Sequence, residues 1–250
     1  MPEGLWSAAN REKKAMGEQR SGEELAVAVA RMSRTLLAQP SVQSTLDEIV
    51  RHAVDLVEGC EEAGVLELDR GSEVRTLAAS SDLVIASDRA QQDAGEGPCF
   101  DAARRLHEAY RIADMSESQS RWARYAPRAR ELGVGSMMGF LLWTEEGTLG
   151  ALDMYSSRPR AFTDSSENAG WILASHAAVA LSSARSTAQL HTAMATRSEI
   201  GEALGIIMER YKVTGDQAWD VLKESSQQQN IKLRDVAHTI VTTGEIPGAR

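Results

Sequence analysis

The chain has 250 residues, 42% of them hydrophobic, and a net charge of −9. This fits one large or two small globular domains and argues against a bulk nucleic-acid binder. No run approaches the ~18 apolar residues of a membrane span. The N-terminus, Met-Pro-Glu-Gly-Leu-Trp, lacks the apolar core of a secretory signal, and Cys60 and Cys99 are too few for a disulfide framework or a zinc site, so a cytoplasmic chain is expected.

Residues 1–21 are polar and charged and read as a flexible arm. Helical periodicity starts at Leu25 and runs through Val29, Met32 and Leu36 to Pro40. A second helix follows, capped by Ser41, with Leu46, Ile49, Val50, Ala53, Val54 and Val57 on its apolar face. The period then drops to two: 63–69 and 73–79 form a hairpin around Arg70-Gly71-Ser72. A short helical piece is expected at Ser87–Asp93. Gly95-Glu-Gly-Pro-Cys turns into a further helix, with Pro98 near its first position. His107–Ile112 is a candidate third strand, and Arg121–Leu132 a helix that Pro127 threatens to break. Val134–Thr144 and Thr148–Tyr155 form the clearest hairpin. Thr163 to Glu167 is a helix start with an acidic first turn. From Asp164 to about Tyr211 there is no proline, which allows one helix of roughly 70 Å at about 1.5 Å per residue. The other reading is two helices with a break near Ser182–Ser186. Ala193, Ile200 and Ile207 repeat every seven residues, as do Leu190 and Leu204, which favours a parallel two-chain coiled coil and a homodimer.

These elements make an α+β fold: an antiparallel sheet with helices on one face, then a long connecting helix and a C-terminal three-helix bundle. Gly95-Glu-Gly-Pro-Cys-Phe-Asp-Ala, Asp114, Arg121-Trp122, Glu131-Leu-Gly-Val-Gly-Ser, Leu149-Gly-Ala-Leu-Asp-Met-Tyr-Ser and Ala161-Phe162 come in an order and spacing that resemble a GAF domain. The resemblance spans residues 22–185 and is to the type found in actinobacterial signalling proteins. It implies a sensor with a pocket between the sheet and the 82–133 excursion. Cys99, His107, Trp122 and Tyr125 are the candidate pocket residues. Cys99 lies at a turn and helix start, where a thiolate is stabilised, and reads either as a redox or attachment point or as a small buried residue. His107 is either a pocket-wall ligand or a hydrogen-bonded residue. Trp122 and Tyr125 are either core or pocket lining. No cofactor is required by the sequence, and the small-molecule or redox signal is open.

The C-terminal segment is the most specific. Arg197, Ile200, Ala203, Gly205, Ile206, Met208, Ala218, Leu222, Ser226, Asn230, Lys232, Leu233, Asp235, Val236 and Ala237 closely resemble an ANTAR domain over 195–247. The resemblance implies an RNA-binding transcription antiterminator. Many members carry lysine where this chain has Leu204, which removes one phosphate contact. Ile200, Leu204, Ile207, Met208, Ala218, Trp219, Leu222, Leu233, Val236, Ala237 and Ile240 are expected to form one small core, with Thr214–Gln217 capping the second helix. RNA loops are read by stacking and by hydrogen bonds to base edges. Ser226, Asn230, Lys232 and Arg234 cluster at the turn between the second and third helices and suit that task; the other reading is that Asn230 caps the third helix while Lys232 and Arg234 form a solvated face. Gly205, Arg197 and Tyr211 are further candidates. Gly205 reads equally as a site of close helix packing or of close RNA approach. Residues 186–250 carry 7 Lys+Arg against 8 Asp+Glu, so any RNA contact rests on a few placed groups.

Walker, GxSxG and HExxH motifs are absent, and a non-enzymatic regulator is expected. It would sense through the GAF-like domain, signal along the 164–197 helix and bind tandem stem-loops in nascent RNA as a homodimer, away from membranes. The competing reading is a small-molecule or redox sensor that acts through a protein partner, with the tail as a docking module. A catalytic relative, such as a methionine sulfoxide reductase, would need paired reactive cysteines.

Overall fold

The computed structural model describes residues 26–68, 73–98, 100–101, 109–145 and 147–248. The expected arm over 1–21, Cys99 and His107 lie outside the described residues. The chain divides into two compact units, Met1–Arg185 and Ser186–Arg250.

The first unit opens with helices α1 (26–37) and α2 (Val42–Leu56). Ser41 caps α2 as its position suggests. Its hydroxyl accepts the Ser44 N–H while the Ser44 hydroxyl accepts the Ser41 N–H, which satisfies two orphan donors reciprocally. Five strands follow: β1 (Glu62–Leu68), β2 (Val74–Ala79), β3 (Ala109–Ile112), β4 (Ser136–Thr144) and β5 (Gly147–Ser156). They form one antiparallel sheet in the order β2-β1-β5-β4-β3.

Alternation along the strands divides two cores. On one face Val65, Met138, Phe140, Leu142, Leu152 and Met154 pack with apolar residues of α1, α2 and the start of helix α5 (Asp164–Tyr211). The other face, carrying Met137, Tyr155 and Ile112, is covered by the excursion helices α3 (Asp82–Ala94) and α4 (Tyr125–Glu131). Strand β2 is an edge. Its Val74 N–H donates to Gln92 Oε1 (2.7 Å), and its Leu77 carbonyl accepts from Gln43 Nε2 (3.1 Å).

Two helices differ most in their bounds from the sequence reading. Helix α3 is longer than Ser87–Asp93: it starts at Asp82, with Val84 buried against Gly64 of β1, ahead of the inward-facing Ser87, Asp88 and Gln91. Helix α4 starts at Tyr125, so Pro127 occupies its third position. An N–H there has no intrahelical acceptor, and proline removes nothing.

Helix α5 is continuous over 48 residues, without the break near 182–186. Thr163 and Ser166 start it by exchanging backbone-to-hydroxyl hydrogen bonds at 3.0 and 3.3 Å. In the second unit its last turns pack with α6 (Gly215–Gln229) and α7 (Leu233–Thr243). Ala203, Ile207, Ala218, Leu222, Val236, Ala237 and Ile240 are the buried core. Met208 and Trp219, expected in that core, are 39% and 43% exposed. The buried stripe is only one residue wide per turn (Ala203 and Ile207, Ala218 and Leu222), and each outlier stands ~100° round the helix from a core neighbour.

Candidate functional sites

The excursion face of the sheet holds a polar site. Register places Tyr110, Gly139, Asp153 and Gly64 side by side across β3, β4, β5 and β1. Asp153 therefore stands between two glycines. A Cβ at Gly139 would collide with the Tyr110 ring and come within 2.6 Å of Asp153 Oδ1. Its absence lets the ring lie across the strand and the Tyr110 hydroxyl donate to Asp153 at 2.7 Å. A Cβ at Gly64 would strike Val84, so this glycine lets α3 settle onto β1. The register shift after Val65 leaves Leu77 unopposed and turns Thr76 toward the same face.

Asp88 descends from α3 into this site. Its Oδ2 accepts from the Thr76 hydroxyl at 2.6 Å, and its Oδ1 accepts from the Tyr155 hydroxyl at 3.5 Å. Asp88 and Asp153 are only 3% and 1% exposed. Burial, with the neighbouring Asp153 charge, pushes the Asp88 carboxyl up to about 7. Sequence reasoning missed this site. Polar residues inside helix and strand patterns read as solvent-facing, and the one available signal was Asp153 inside the otherwise apolar run 149–155.

Of the expected pocket residues, Trp122 and Tyr125 are described, and both lie in the second core. The indole N–H of Trp122 donates to Asp101 at 3.3 Å, and the Tyr125 hydroxyl pairs with that of Ser87 at 2.9 Å. Two open grooves flank α3: about 570 Å³ along β2, reaching Asp88, and about 630 Å³ toward α4. Cys60 is buried, its thiol donates to the Glu62 carbonyl, and burial pushes it up to about 12. A thiol held in that form is a poor nucleophile. Among the described residues no group of three or more His, Cys, Asp or Glu side chains is placed to hold a metal ion, and no helix is long and apolar enough to cross a membrane.

In the second unit the turn between α6 and α7 brings Ser226, Asn230, Lys232 and Arg234 together by chain geometry. Asn230 takes the left-handed conformation (φ 53°) that ends α6. The Ser226 hydroxyl donates to the Ile231 carbonyl at 2.7 Å, and the Ile231 N–H donates back to the Ser226 carbonyl at 3.2 Å. Lys232 begins α7, and Arg234 pairs with Asp235 at 3.3 Å. The turn thus presents an amide and two exposed cations on a hydrogen-bonded frame. Gly205 and Arg197 are exposed on α5, and Tyr211 is 51% exposed. A Cβ at Gly205 would meet nothing within 4 Å, so packing inside the described chain does not require glycine there. A surface groove runs past Gly205, Arg210 and Lys212. Thr214 and Gln217 form the expected capping box at the start of α6.

The GAF domain model matches residues 39–182, and the ANTAR domain model matches residues 188–241. No curated protein matches the chain. Among solved structures, a domain of a putative two-component sensor histidine kinase from Sinorhizobium meliloti matches at 19% identity with a TM-score of 0.50, covering 61% of this chain and 99% of that one. The GAF domain of a phosphoenolpyruvate-protein phosphotransferase from Coxiella burnetii matches at 18% identity and 0.51, covering 66% and 96%. The photosensory core module of the Stigmatella aurantiaca phytochrome matches at 12% and 0.56, covering 81% of this chain and 44% of that one. At these identities the likeness is one of fold. The GAF match spans more than half of the chain and lies on the five-stranded sheet with its excursion, and the ANTAR match lies on the end of α5, α6 and α7. The chain belongs to the GAF domain family and carries an ANTAR domain behind it, the domain arrangement of a signal-sensing antitermination regulator.

Proposed function

We propose that this protein is a dimeric RNA-binding regulator whose GAF domain sets the geometry of two ANTAR heads, each of which holds one stem-loop of a tandem pair in nascent RNA. The observation that carries the reading is the ANTAR match on a described three-helix unit whose α6–α7 turn displays Asn230, Lys232 and Arg234. Gly205, Arg197 and Tyr211 are the secondary contacts. Leu190 and Met194, 59% and 62% exposed on α5, support pairing with a second copy. The signal would act by shifting the populations of two dimer arrangements, which requires only that it bind them unequally.

A gel shift with a tandem-hairpin leader RNA tests this. The wild-type chain should bind, and Lys232→Ala with Arg234→Ala should weaken it about tenfold or more, with a shallower salt dependence. Absence of binding under every ligand and salt condition rejects the reading. The near-neutral charge of 186–250, Leu204, and exposed Met208 and Trp219 favour a second reading, in which the tail docks a protein partner. The same double substitution would leave partner capture intact. A redox input through Cys60 is disfavoured by its burial and raised thiol.

A further inference from the structure

Asp88 and Asp153 are both buried where α3 seats on the sheet, one carboxyl from the helix and one from the same face of β5 that carries Tyr155. Hydroxyls of Thr76 and Tyr155 donate to the first, and that of Tyr110 to the second. Among the described residues, other polar and charged groups packed around Asp88 have partners or positions of their own. Tyr125 of α4 is engaged with Ser87 on α3. Glu62 of β1 is engaged with Ser80. Arg75 of β2 and Arg89 of α3, with Asp47 of α2, line the groove along β2, both arginines being exposed. That groove reaches Asp88 and gives a proton its path to water.

Two like charges in a buried site disfavour joint ionisation. We propose that the Asp88–Asp153 pair is a proton-operated latch on α3. A proton on Asp88 keeps the helix seated over the sheet, and losing it adds a buried negative charge near that of Asp153, whose repulsion lifts the helix. The Asp88 carboxyl lies above its ordinary 3.8, at about 7. Its stabilising contribution is therefore complete below about pH 4 and is lost as pH rises through about 7. The latch gives the GAF domain a chemical input and stands independently of the RNA reading.

The test is hydrogen exchange of the full-length chain across about pH 5.5 to 8.5, corrected for the intrinsic base catalysis of exchange. Protection of the α3 amides (82–94) should fall about tenfold or more with rising pH, while α2 stays level. Asp88→Asn keeps an acceptor for Thr76 and cannot ionise, so its α3 protection should stay flat. Asp153→Asn removes the repelling charge and should also shrink the fall, which covers failure of the first variant to fold. Flat α3 protection in the wild type overturns the latch. So does an Asp88→Asn or Asp153→Asn profile that follows the wild type. RNA binding does not depend on either outcome, so the two readings fail separately.

Discussion

Tyr110 reaches Asp153 by lying across Gly139, one strand away from each, and its hydroxyl donates to the carboxylate at 2.7 Å. The contact exists because β4 offers no side chain at that point. Gly139→Ala should displace the tyrosine ring and cost about 1–3 kcal/mol, the range for overpacking a tight interior. Chemical denaturation of the two proteins measures the difference, and an unchanged midpoint would contradict the packing described.

Gly205 should behave in the opposite way. It sits within α5, exposed, with open space where a Cβ would stand. Gly205→Ala should raise the stability of the second unit by about 0.5–1 kcal/mol. If RNA approaches this face, the same substitution should weaken RNA binding. A stabilised variant with undiminished RNA affinity would remove Gly205 from the interface.

Asn230 combines a backbone role with a proposed recognition role, and glycine separates them. Asn230→Gly keeps the left-handed turn that ends α6 and removes the amide. Its melting temperature should stay close to wild type while RNA affinity falls several-fold. Asn230→Ala should instead lose about 1 kcal/mol of stability, because alanine lacks the short polar side chain that lets asparagine tolerate that conformation. Equal RNA affinity in the glycine variant would reduce Asn230 to a helix stop.

Cys60 should be chemically silent in the native chain. Burial disfavours its thiolate and pushes the thiol up to about 12, so at pH 8 the thiol form dominates. In a Cys99→Ser background, iodoacetamide should label Cys60 only after denaturant is added. Rapid labelling without denaturant would reopen a redox role.

Leu190 and Met194 stand one helical turn apart on α5 with more than half of each side chain exposed. Sedimentation at tens of micromolar should report a dimer, and Leu190→Glu with Met194→Glu should shift it to monomer. A wild-type monomer under those conditions would contradict the proposed pairing.

Elements with a clean period or an explicit cap are legible from residue order alone. Ser41, Thr163 and Thr214 each announce the helix that follows, and 134–155 reads as a hairpin from its apolar alternation and central turn. The α6–α7 turn is legible through Asn230 and the cations behind it. The Asp88–Asp153 site is not. It depends on a bulge at Leu77 that rotates Thr76, on glycines that matter only through their strand neighbours, and on a helix whose polar residues point inward. Each is a relation between distant segments, and each looks locally like solvent-facing polarity. Trp219 shows the converse: its apolarity suggested burial, yet a core only three helices wide has no room for it.

The side chains bound to strand β2 have a bearing on how copies of this protein meet. An uncovered sheet edge offers free donors and acceptors to any other strand and is a common starting point for aggregation. Here Gln92 occupies the Val74 donor and Gln43 the Leu77 acceptor. A sixth strand would have to displace a glutamine from each flanking helix to use those two groups. Two glutamines thus narrow what this border of the sheet offers to another strand, which is of direct value to a protein proposed to work in pairs.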